Sequence, residues 1–197
     1  MTERELHRRL SLFYFVYFLM LGGYAPFFGL GSMFEVGSRW FGQHTRVFGY
    51  RRGYNVQGAT VPGRPGRGEV RPETNIAMAE LANGAVITYQ HSTVAGATAR
   101  PRWEIIGADG CVVAYAGSGI SPASFVGARR GSSELEPLPI PPEYDHGVSV
   151  EADFIAAIRG EREPARAIPR FGDAMRLLQF GEVWRESVEK GGWCDLP

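Results

Sequence analysis

The stretch from Asn75 to Gly96, NIAMAELANGAVITYQHSTVAG, sets two apolar-rich runs on either side of Asn83-Gly84. An Asn-Gly pair between such runs is a strong hairpin signal, because both residues accept the positive φ of a type I′ turn. The expectation is a strand over Thr74 to Leu81 paired with one over Ala85 to Thr93. Reading outward, Arg102 to Ile106 and Cys111 to Tyr115 form a second pair about Asp109-Gly110, and Thr45 to Arg52 alternates as a strand, with Val47, Phe48 and Tyr50 among polar residues. Gly53 to Arg71, with its PGRPGRG run, reads as a loop. Two helices close the chain. The first has Val150, Phe154, Ile155 and Ile158 on one face, Ser149 as cap and Gly160 as stop. The second runs from about Asp173 to Lys190, with Ala174, Leu177, Leu178, Trp184 and Val188 at helical spacing before Gly191-Gly192. The fold class is therefore α+β, a mostly antiparallel sheet with helices packed on one face.

Composition narrows the function. The 197 residues are 44% hydrophobic with a formal net charge of +0, enough for one domain with a core and without the basic field that nucleic acid requires. Cys111 and Cys194 are far apart and lack ligand spacing, so neither zinc nor a disulfide is implied. Lys190 is the only lysine.

The N-terminus has a different character. No charge occurs from Leu10 to Phe34, and Leu10 to Leu21 is a nearly continuous aromatic and aliphatic run. About 20 apolar residues cross a bilayer, so residues 1–30 are expected to form a hydrophobic, membrane-type helix that projects from the domain, with membrane contact by residues 10–30. This opening resembles the first helix of a major-facilitator-like transporter. A single helix cannot build a transport pathway, so the resemblance implies no transport.

Residues 31–197 resemble the C-terminal domain of the Gfo/Idh/MocA oxidoreductases. Three stretches carry the likeness, in order: NIAMAELANGAVITYQHSTVAG, then RWEIIGADGCVV, then DFIAAIRGEREP followed by GDAMRLLQFGEVWRESVEKGGWCDLP. The family resemblance implies an NAD(P)-dependent oxidation of a sugar or polyol hydroxyl, with a Rossmann domain preceding this one and an oligomer formed through the sheet. The Rossmann fingerprint, GxGxxG between a strand and a helix, is absent. Gly29-Leu30-Gly31 and Gly117-Ser118-Gly119 are partial matches that read as turns, so no NAD or NADP is expected to bind this chain.

The family's lysine comes from a Glu-Lys-Pro motif, which Lys190 in its Glu-Lys-Gly context does not match. The family's D-x-G-x-H-x-x-D is nearest to GLGSMFEVGSRWFG, where the resemblance puts Glu35 at the last acidic position and leaves the histidine without a counterpart. Catalytic residues are therefore not assigned. The substrate-binding candidates are Glu35, His91, Tyr54 and Asn55: His91 lies in a strand that can face a pocket, and Tyr54 and Asn55 lie in the loop after the first strand. His44 and His146 read as surface or satisfied core histidines. The expected function is a truncated or fused oxidoreductase that is inactive alone, with a non-catalytic sugar-binding or oligomerisation module as the alternative. The location is expected to be cytoplasmic, or at the inner membrane through the N-terminal segment.

Overall fold

The computed structural model describes residues 28–54, 73–92, 102–116, 122–140, 150–161 and 171–197. The chain divides into two units, one of residues 1–94 with 152–197 and the other of residues 95–151. The run Leu10 to Leu21, the loop Gly53 to Arg71 apart from its first two residues, Ser149 and Gly117-Ser118-Gly119 lie outside the described residues. No described helix is long and apolar enough to cross a membrane.

The first unit is built on a sheet of order β3-β2-β1-β8, with β1 His44–Gly53, β2 Glu73–Leu81, β3 Val86–Ser92 and β8 Cys194–Asp195, all pairs antiparallel. Alternation along β2 is strict: Asn75, Ala77, Ala79 and Leu81 are buried, while Thr74, Ile76, Met78 and Glu80 are half-exposed. Register places Val47 beside Ala79 and Ile87, and Gly49 beside Ala77 and Tyr89, so one face carries small and apolar residues. Helices α1 (Phe28–Phe41) and α3 (Phe171–Lys190) cover that face. Their buried residues Leu30, Phe34, Ala174, Leu177, Phe180 and Trp184 complete the core.

The second unit is a separate antiparallel sheet of order β4-β5-β6-β7, made of Arg102–Gly107, Gly110–Ala116, Pro122–Arg129 and Glu136–Leu138. Helix α2, Val150–Arg159, crosses the boundary of the division, its residues from 152 onward belonging to the first unit. Both expected hairpins form, yet each belongs to its own sheet. Pro122–Arg129 is a further strand, not among those expected from the sequence; Pro122 stands at its first position, where a missing N–H costs least.

Several local readings change. The β2–β3 turn is not type I′, since no described residue other than glycine has a positive φ. The Gly84 N–H instead donates to Leu81 O at 2.9 Å, and Gly84 alone turns left-handed at φ 84°, giving a three-residue loop. Asn83 contributes through its side chain, accepting from Ala85 N–H at 3.0 Å and donating to Phe41 O at 3.0 Å.

Gly29-Leu30-Gly31 is helical rather than a turn, because Leu30 packs into the core with no exposed surface and the helix it opens covers β2 and β3. Leu178, expected on the inner stripe of α3, is 46% exposed. The inner stripe runs instead through Ala174, Leu177, Phe180, Trp184 and Ser187, the spacing that keeps one face on the sheet.

Stops follow the sequence closely. Gly160 closes α2 with Glu161 N–H donating to Ala156 O at 3.0 Å and Gly160 N–H to Ala157 O at 3.2 Å, a Schellman pair. At the end of α3, Gly191 and Gly192 both donate to Ser187 O.

At Gly49, strand and helix come close. A Cβ there would stand 2.7 Å from Trp184 O and 2.9 Å from the Trp184 ring. The Gly49 N–H donates to Ser187 Oγ at 2.8 Å, and Trp184 Nε1–H donates to Ile76 O at 2.8 Å.

Candidate functional site

A cleft of about 390 Å³ opens between α1 and the first half of α3, over the start of β1. Its lining joins Phe34, Glu35, Ser38 and Arg39 of α1 to Asp173, Arg176 and Gln179 of α3, with His44 in the floor. Each helix brings one acid and one base to the cleft. Glu35 pairs with Arg39 one turn on, and Asp173 pairs with Arg176. The spacings i,i+4 and i,i+3 put each pair on one side of its helix, so the charges are balanced before any ligand arrives.

The floor is a buried polar pair. Tyr89 Oη and His44 Nε2 are 2.6 Å apart, and Ser38 Oγ lies 3.5 Å from His44 Nδ1. The rings sit among aromatics, with Phe34 stacked on Phe180 at 4.1 Å between centroids and 4.6 Å from His44. Burial pulls the His44 pKa down from 6.5 to about 4, against a smaller upward pull from its hydrogen bond with the Gly42 backbone. Burial pushes the Tyr89 phenol well above its ordinary range. Both groups are therefore neutral at pH 7, the phenol donating to Nε2 and the ring proton residing on Nδ1. Gly37 makes room for this arrangement, since a Cβ there would overlap the Tyr89 hydroxyl.

The described sequence candidates, Glu35, His91 and Tyr54, do not converge. Glu35 lines the cleft. His91 is half-buried on β3, opposite Asn75, which is in turn opposite Arg51. Tyr54, 38% exposed, follows the end of β1 near that row. Seven residues of strand separate His44 from Arg51, so the two places are roughly 20 Å apart along β1. Asn55 lies outside the described residues.

Sequence reasoning passed over the rest. Asn75 was legible in principle: it is the one polar residue in the inward series Asn75, Ala77, Ala79, Leu81, and it is fully buried. His44 and Tyr89 are 45 residues apart and carry no local signal of their pairing. His44 is a satisfied core histidine, one of the two readings its position allowed. Among the described residues no group of three or more His, Cys, Asp or Glu could hold a metal ion.

No family model and no curated protein matches the sequence. Solved structures do match the fold. Levoglucosan dehydrogenase in its apo form superposes with a TM-score of 0.62 at 20% identity, over 85% of this chain and 49% of that one. The fold is that of the Gfo/Idh/MocA-type oxidoreductases. A second structure with this Gfo/Idh/MocA fold is the WlbA dehydrogenase from Bordetella pertussis in complex with NADH and UDP-GlcNAcA. It gives a TM-score of 0.53 at 19% identity, over 87% of this chain and 46% of that one. The chain thus spans about half the length of the Gfo/Idh/MocA structures it matches. Among the described residues every strand pair is antiparallel, and the parallel nucleotide-binding sheet of a Rossmann domain is absent from them.

Proposed function

We propose that this chain is the sheet-bearing half of an NAD(P)-dependent dehydrogenase acting on a sugar or polyol hydroxyl, and that these residues alone do not transfer hydride. The observation that carries the reading is the fold, which matches dehydrogenases over most of this chain and about half of theirs. The side chains agree with the second half of the statement. Lys190 is exposed and bound to Glu186, whose carboxylate raises its pKa and keeps it a cation rather than a base. His44 is committed to Tyr89, so it cannot also take a proton from a substrate without losing that bond. What remains among the described residues of the cleft is a wall with paired charges, suited to orienting hydroxyl groups. Calorimetric titration with NADH and NADPH tests this: no saturable binding is expected, and micromolar binding by either would overturn it.

A second role is inferred from the face of the first sheet turned away from α1 and α3. Phe48, Tyr50, Ile76 and Met78 form its apolar centre; Trp193 stands 6.0 Å from Phe48, with the Arg46 guanidinium 4.7 Å over the Trp193 ring. Arg46 and Glu80, 3.9 Å apart, border this centre. An apolar centre with a charged rim is the anatomy of a protein interface, and we assign this face to a second copy of the chain. The reading places the domain in the cytoplasm, without a nucleic-acid partner. Any inner-membrane contact falls to residues before Phe28, because Leu30 is already spent in the core.

A further inference from the structure

No further inference is drawn: the strongest candidate, the cleft between α1 and α3 over His44, belongs to the site already described, and its charged groups satisfy one another within each helix, so nothing there points to an additional ligand.

Discussion

Lowering the pH should destabilise the fold through His44 in particular. His44 is 4% exposed, and its folded-state pKa of about 4 lies below the unfolded value of 6.5. The unfolded chain therefore takes up a proton that the folded chain resists. This stability is present in full above about pH 6.5 and is lost progressively as the pH falls through about 4. A gap of that size corresponds to about 3 kcal/mol, at 1.36 kcal/mol per unit, a large share of the total for a marginally stable domain. Carboxylates titrate in the same range, so the contribution must be isolated. Replacing both partners, His44→Phe with Tyr89→Phe, removes the titrating ring without stranding a buried phenol. Urea unfolding at pH 7, 5.5 and 4 should show the natural chain losing about 3 kcal/mol more than the double variant. An NMR titration of the natural chain gives an independent reading, with a His44 ring midpoint near 4 expected. Equal losses in both proteins, or a midpoint at 6 or above, would refute the argument.

Gly49→Ala should lower stability by about 1–3 kcal/mol, since strand and helix must part to admit the methyl group; thermal melting reads this directly, and an unchanged midpoint contradicts the close approach of α3. Tyr89→Phe leaves the His44 ring nitrogen without its donor inside the core and should cost about 1–3 kcal/mol in urea titrations, whereas Tyr54→Phe at an exposed position should stay within about 0.5 kcal/mol of the natural chain. Phe48→Glu buries a charge in the proposed interface and should shift sedimentation velocity from dimer to monomer without altering the far-UV spectrum; an unshifted profile removes this sheet face as the contact.

Where periodicity is local, the sequence was readable. Asn83-Gly84 and Asp109-Gly110 each marked a hairpin, and Gly160 and Gly191 each marked a helix end, because a left-handed backbone or a tight loop leaves a residue-level trace. Helix α1 left a weaker one. Its glycines at 29, 31 and 37 argue against a helix on propensity, and its stability comes from packing across β2 and β3. The separation of the two hairpins into different sheets depends on strand order, which alternation does not encode. The site was the least legible part. Glu35, which lines the cleft, was named by resemblance, and the His44–Tyr89 pair exists only because the start of β1 and the middle of β3 meet in space. Leu178 shows the limit of reading a stripe by spacing alone: it neighbours Leu177 in sequence, but about 100° further round the helix it faces outward.

Ser187 has consequences beyond its own bonds. Strand β8 accompanies β1 only at Arg46 and Val47, and past that point the edge of the sheet would be bare. The Ser187 hydroxyl takes over, accepting from Gly49 N–H while donating to Gly192 O, so one side chain stands in for the missing length of strand. The last turn of α3, the Gly191-Gly192 link, β8 and the middle of β1 are thereby joined in a closed circuit, which Leu196 N–H completes by donating to Thr45 O at 2.7 Å. In hydrogen exchange such a circuit opens as one event: the amides of Gly49, Gly191 and Leu196 should share a common opening free energy, although they are spread over nearly the whole described length of the chain. The chain's final residues then act as a clasp on its first strand, and a nick or deletion after Lys190 would loosen β1 before it disturbed β3.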